Sequence, residues 1–220
     1  MTAGRPSLSP TATAHLVAVL DQSRTLGFLG PGPVSAHIDL ALDLATILVD
    51  LAPARALDLG SGGGVPGLVL LMALPQLDMV LLDAAERRTR FLEHAVHELG
   101  LESRARVWCG RAEEAGRDPE LRHRFDAVVA RSFGPPATTA ECGAPFLRAG
   151  GHLLVTEPPV PVDRWPADGL AQLGLRRPDH PVPLVDSRVA VFRADALCPD
   201  RFPRRTGMPA KRPLFVSRET

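Results

Sequence analysis

The stretch Ala56-Leu57-Asp58-Leu59-Gly60-Ser61-Gly62-Gly63-Gly64-Val65-Pro66-Gly67 ends an apolar run on an acid, then places glycine at five of the eight positions from 60 to 67. A turn needs one or two glycines, so this density implies a backbone that something approaches closely. A dinucleotide, a phosphate and a nucleoside without phosphate are the ligands that use such a loop. Gly62, Gly64 and Gly67 satisfy G-x-G-x-x-G, a pattern short enough to recur by chance. Two residues oppose a diphosphate. Asp58 puts a negative charge at the strand end, and Pro66 removes an N–H where a helix start would offer donors to an anion. No Gly-Lys-Ser/Thr follows, which excludes a P-loop.

A carboxylate beside the loop suits a cationic ligand instead. S-adenosylmethionine carries an ammonium, a sulfonium and free ribose hydroxyls. The apolar run DMVLLD ends in Asp83, 23 residues beyond Gly60, where an acid accepts ribose hydroxyls in dinucleotide folds. Strand, glycine loop, helix, strand, acid therefore predicts an S-adenosylmethionine site that includes Asp58, Gly60, Gly62, Gly64 and Asp83. A nicotinamide site and purely structural glycines are the alternatives.

The elements around these residues must hold them. Thr11 to Leu26 and Val34 to Leu51 read as amphipathic helices separated by GFLGPGP. Short β-type runs then alternate with helical ones: RALDLG, a helix from about Pro66, DMVLLDA, a helix over Glu86 to Leu99, and ARVWCG. FDAVVARS, a helix over Ala137 to Leu147, GGHLLVTE and, after a proline-rich stretch, RVAVFRA complete the series. Gly100 and Gly150-Gly151 read as helix stops. Unalternating runs such as VLL and LLV fit strands covered on both faces, and the alternation of strand and helix predicts a doubly wound parallel sheet. The expected organisation is an N-terminal helical cap (1–52), an α/β domain (53–195) and a basic C-terminal tail (196–220).

The 220 residues suffice for one domain with an appendage, and 45% are apolar. The longest apolar stretches fall short of the roughly 20 residues that span a bilayer. The N-terminus lacks the layout of a secretory signal, so a cytoplasmic protein is expected, with no membrane partner. Cys109, Cys142 and Cys198 suit neither a disulfide framework nor a zinc site. Net formal charge is zero, which gives no global footprint for nucleic acid. The charge is nevertheless uneven: Arg201, Arg204, Arg205, Lys211 and Arg212 crowd into thirteen residues without an acid. Clustered positive charge of this kind suits a polyanion, and on charge alone a solvated C-terminal tail is the competing expectation.

With LDLGSGGGVPG, LLDAAERRTRFL, GRAEE, FDAVVARSF and PRRTGMPAKRPL in place, the chain resembles the bacterial small-subunit ribosomal RNA guanine-N7 methyltransferases, the glucose-inhibited division protein B group. The resemblance runs from about Gly27 to Leu214. It implies the class I, Rossmann-like methyltransferase fold and S-adenosylmethionine as cofactor. It also implies small-subunit ribosomal RNA, or its particle, as the partner of a monomeric enzyme. Carried over by position, the family's cofactor contacts fall on Gly60, Val65, Ala112, Glu113 and Arg131, and its second-strand acid on Asp83. Three positions depart from the family. Ala84 stands where the family has serine after the acid, Glu157 where it commonly has lysine, and His37-Ile38-Asp39-Leu40 where it has His-x-x-Asp-Ser. Glu157 and the zero net charge favour the alternative of a divergent member that methylates a small molecule.

Guanine N7 is a neutral lone pair, so methyl transfer to it needs orientation rather than a base. Arg131 and Phe133 are the expected catalytic residues. Arg131 would neutralise a carboxylate or phosphate, and Phe133 would offer a face on which a base stacks. Packing of Phe133 beneath its loop is the competing expectation. His94 and His97 lie three apart on one helix but lack a third ligand, so no metal is expected. His37 serves either packing or substrate contact. The five basic residues of the tail would grip RNA phosphates.

Overall fold

The computed structural model describes residues 4–158, 164–177 and 188–216. Parts of the proline-rich connections (159–163 and 178–187) and the last four residues of the expected tail lie outside the described residues. The chain gathers into two compact units, Met1–Cys109 and Gly110–Thr220. The expected cap thus belongs with the first three strands, and the expected tail with the last four.

In the first unit, α1 (Pro10–Thr25) starts where the Ser9 hydroxyl accepts the Ala12 N–H at 3.2 Å, a side-chain cap for an otherwise orphaned donor. Its buried stripe is Leu16, Val19, Leu20 and Ser23, the helical spacing of an inward face. Helix α2 (Val34–Leu51) ends at Ala52, which adopts a left-handed φ of 45°. Strands β1 (Arg55–Leu59), β2 (Asp78–Asp83) and β3 (Ala105–Cys109) are parallel in the order β3-β2-β1. The two connections are α3 (Gly67–Ala73) and α4 (Glu86–Glu98). Arg104 closes the far end of α3 by donating to the carbonyls of Leu71, Leu74 and Leu77 at 2.9, 3.2 and 3.0 Å.

The second unit holds α5 (Ala112–Ala115), β4 (Phe125–Ala130), α6 (Pro136–Gly143) with a 3-10 turn over Ala144–Phe146, and β5 (Leu147–Glu157). After these come α7 (Ala167–Ala171), β6 (Leu175–Arg176), β7 (Arg188–Ala194) and α8 (Met208–Lys211). The strand order is β4-β5-β7-β6. β4 and β5 are parallel, but β7 runs antiparallel to both β5 and β6, so the sheet is mixed rather than wholly parallel. In β7, Val191 and Phe192 are buried and Arg193 is exposed, and strands carrying a polar position tolerate the outer part of a sheet. Gly150-Gly151 does not stop a helix. It lies inside β5, where the register with β4 slips between Phe125 and Ala127. A Cβ on Gly151 would stand 3.0 Å from the carbonyls of Phe125 and Asp126.

The C-terminal segment is docked within this unit. Arg122 donates to the carbonyls of Cys198 and Phe202 at 2.9 Å each, and Arg117 to that of Pro203 at 2.5 Å. Phe215 packs against Trp165, ring centres 6.5 Å apart, and lies on Gly169, where any Cβ would collide with it. No helix among the described residues is long and apolar enough to cross a membrane.

Candidate functional site

The glycine loop leaves β1 and enters α3, pinned at its start by the N–H groups of Gly60 and Ser61, both of which donate to the Leu82 carbonyl at 2.9 Å. Its glycines divide by what surrounds them. Gly60, Gly62 and Gly64 have φ of 75°, 53° and 91°, a region that costs L side chains energy. Gly63 and Gly67 are required by the protein's own packing. The Ser23 hydroxyl of α1 donates to the Gly63 carbonyl at 2.9 Å, and a Cβ on Gly63 would strike that hydroxyl and come within 2.8 Å of the Phe28 carbonyl. A Cβ on Gly67 would collide with Leu81 and lie 2.5 Å from Asp58 Oδ2. Gly62 differs, because nothing in the protein lies nearer to its Cβ position than the Gly60 carbonyl at 3.7 Å.

The two acids are built into the same loop. Asp58 is 1% exposed, and its Oδ2 accepts the N–H of Gly67, the first residue of α3, at 3.0 Å. The helix start that a diphosphate would use is therefore already held by a carboxylate of the chain. Asp83, at the end of β2, is 5% exposed. One of its oxygens accepts the Gly62 N–H at 2.9 Å and the other the Ala85 N–H at 2.8 Å, with Arg88 3.7 Å away. An ionised carboxylate has about four lone-pair sites, so two N–H donors leave Asp83 acceptor capacity for hydroxyls. A left-handed glycine open on one side, a helix start closed to anions and a buried hydroxyl acceptor fit the nucleoside of S-adenosylmethionine. Val65 is buried in the loop.

In the second unit, Ala112 and Glu113 open α5 and are both buried. The Glu113 side chain does not project free. Its Oε1 accepts the Gly207 N–H at 2.9 Å, with Arg111 3.6 Å away, and the neighbouring Glu114 accepts the Thr206 hydroxyl at 3.0 Å. Arg131 and Phe133 follow β4, each half-buried, on either side of Ser132, which has a φ of 52°.

The tail carries a correction. Arg204 is not an exposed phosphate fork. Its backbone N–H and Nε donate to Glu141 Oε1 at 2.9 and 2.8 Å, and its Nη2 donates to Oε2 at 2.6 Å. Glu141, on α6, is 0% exposed, and its hydrogen bonds hold the Arg204 guanidinium pKa above the usual arginine value. Arg201, Arg205, Lys211 and Arg212 are exposed. Glu157 is likewise engaged: Arg164 and Trp165 donate to its Oε1 at 2.9 and 3.1 Å. His37 is buried with Nε2 3.2 Å from the Gly30 carbonyl. His94 lies 3.3 Å from Glu98, and His97 lies 2.6 Å from Glu102. Among the described residues no three metal-type ligands gather. Burial pushes the Cys198 thiol up to about 12 and, with Glu113 and Glu141 nearby, pushes Cys142 higher still. Neither is a nucleophile at neutral pH.

Sequence reasoning missed Ser23, Glu141 and Gly207. Each left a trace: a serine in the apolar stripe of α1, an isolated acid in the helix PATTAECG, and a glycine two residues before a proline.

The family model for GidB, rRNA small subunit methyltransferase G, matches residues 34–161. The chain belongs to the GidB family. Relatives of this GidB chain include the ribosomal RNA small subunit methyltransferase G of Prochlorococcus marinus strain MIT 9313, 39% identical over 74% of this chain and 68% of the relative. That of Carboxydothermus hydrogenoformans is 35% identical over 79% and 77%, and that of a Synechococcus species is 33% identical over 74% and 71%. Among solved structures, a methyltransferase from Geobacter sulfurreducens superposes with a TM-score of 0.60 at 14% identity, covering 85% of this chain and 92% of its own. An O-methyltransferase from Bacillus cereus in complex with SAH gives 0.57 at 14% identity, covering 81% and 89%. At that identity the two structures speak for the fold, the α/β fold of methyltransferases.

Proposed function

We propose that this GidB-family chain is an S-adenosylmethionine-dependent enzyme that methylates N7 of a guanine in small-subunit ribosomal RNA. It would act in the cytoplasm as a monomer, on the RNA or its particle. The observation that carries the cofactor reading is the carboxylate pair on the glycine loop. Asp58 occupies the start of α3, and Asp83 holds Gly62 while keeping acceptor capacity. A pyrophosphate finds a filled anion site there, and a nucleoside finds an acceptor and an open glycine. When bound, the cofactor supplies an electrophilic methyl group on its sulfonium.

Each residue then has a task. Asp83 accepts the ribose hydroxyls, while Gly60, Gly62, Gly64 and Val65 shape the loop that receives the nucleoside. Ala112 and Glu113 present backbone groups to the adenine edge, since the Glu113 carboxylate is spent on Gly207. Arg131 neutralises a carboxylate or phosphate, and Phe133 stacks the target base. Arg201, Arg205, Lys211 and Arg212 hold RNA phosphates, with Arg204 serving the fold. N7 offers its lone pair directly, so these groups need to orient the base rather than remove a proton. The engagement of Glu157 with Arg164 and Trp165 takes away its support for a small-molecule substrate. Calorimetry with S-adenosylhomocysteine and NAD tests the cofactor. The first is expected to bind and the second not, and tighter binding of NAD would overturn the reading.

A further inference from the structure

Helix α5 is four residues long, too short to hold its own direction by backbone hydrogen bonds. Its two glutamates are held from the C-terminal segment instead. Gly207 donates its N–H to Glu113 and Thr206 its hydroxyl to Glu114, at 2.9 and 3.0 Å. The segment can make both contacts because Gly207 turns at a φ of 80° and because it is clamped on either side. Arg204 closes on the buried Glu141 through three hydrogen bonds and reaches on to the Arg212 carbonyl at 2.7 Å. Thr138 of α6 donates to the Pro209 carbonyl at 3.3 Å. Residues 204–209 are thus fixed to α6 and in turn fix α5.

We propose that Thr206 and Gly207 are positioning residues for the cofactor, orienting the Ala112-Glu113 backbone toward the adenine edge. This inference rests on the cofactor reading given above. It assigns the basic tail a second task, one performed by its uncharged residues. Without the Gly207 donor, Glu113 would have to turn its buried carboxylate elsewhere, and without that of Thr206 the neighbouring Glu114 would lose its tie, so the start of α5 would turn with them.

Gly207 allows a clean test, because nothing lies within 4 Å of the position of its Cβ. Substitution there introduces conformational strain but no collision. Gly207→Ala disfavours the left-handed turn, whereas Gly207→Asn tolerates it. Titration of the full chain with S-adenosylhomocysteine is expected to give a Kd about 3- to 10-fold higher for Gly207→Ala, the scale of one ordinary lost hydrogen bond. Gly207→Asn is expected to restore wild-type affinity, and Thr206→Val to raise the Kd by about twofold through its lost donor. In turnover, Gly207→Ala should raise KM for S-adenosylmethionine and leave KM for RNA unchanged. An unchanged Kd in Gly207→Ala, or a loss that Gly207→Asn does not recover, overturns the proposal, even if the thermal midpoint falls. Should Gly207→Ala not fold, Thr206→Val decides alone, and an unchanged Kd there overturns it. Wild-type protein that binds no S-adenosylhomocysteine would refute the cofactor reading itself.

Discussion

Gly62 and Gly63 are neighbours in one loop, yet replacing them should damage different properties. A Cβ on Gly63 meets the Ser23 hydroxyl and the Phe28 carbonyl, the latter at 2.8 Å. Ser23 is 0% exposed, and the Phe28 contact is to backbone, so neither can simply swing away. Overpacking of this kind costs about 1–3 kcal/mol, and at this chain length each kcal/mol lowers the thermal midpoint by roughly 2–4 °C. Gly62 has a φ of 53° and no neighbour nearer than 3.7 Å. Asparagine tolerates that conformation, so Gly62→Asn should fold with a nearly unchanged midpoint. Its side chain would enter the space assigned to the cofactor and should weaken S-adenosylhomocysteine binding at least about tenfold, or roughly 1.4 kcal/mol. Thermal unfolding of the ligand-free proteins and calorimetric titration of each would separate the two effects. Gly62→Asn that binds like wild type, or Gly63→Ala with an unchanged midpoint, would refute this division of the loop.

Truncation after Asp200 should destabilise the second unit rather than merely remove an RNA contact. It strands the buried Glu141, and breaking a buried pair costs about 3–5 kcal/mol, which chemical denaturation would measure. Acid should also weaken the fold. Burial holds the folded-state pKa of His123 and His152 below the ordinary 6.5, helped by Arg122 for the first and by Arg193 and Arg148 for the second. The unfolded chain then binds more protons, so the stability these groups allow is intact above 6.5 and falls as pH drops below it. His152→Gln should flatten that slope in denaturation curves taken across the window. Phe133→Ala should leave S-adenosylhomocysteine affinity unchanged while lowering RNA methylation, since base stacking contributes about 1–3 kcal/mol. Equal loss of both would place Phe133 in the fold instead.

The elements that carry the loop were legible because their signals are local. The apolar runs before Asp58 and Asp83 are strands buried on nearly every residue, and α2 spans the predicted Val34–Leu51. The glycine cluster was legible as a loop but not as a division of labour. Ser23 lies 40 residues from Gly63, and sequence does not show that α1 rests there. Charge counting misread Arg204 for the same reason, since its partner Glu141 is 63 residues away and isolated in an apolar helix. Glu113 follows the third strand along the chain, but its hydrogen bond to a residue 94 positions on had no local signature. The antiparallel course of β7 escaped notice because a parallel reading of alternating strands and helices carries no information about the last crossing.

Methyl transfer itself remains the most direct measurement. Purified protein should be incubated with S-adenosylmethionine labelled in its methyl group and unmodified small-subunit RNA or particles. The RNA would then be digested and its nucleosides separated by mass. The account predicts label in 7-methylguanosine, formed without added metal and lost in Arg131→Ala. Label absent from the RNA, or present only in another nucleoside, would contradict it.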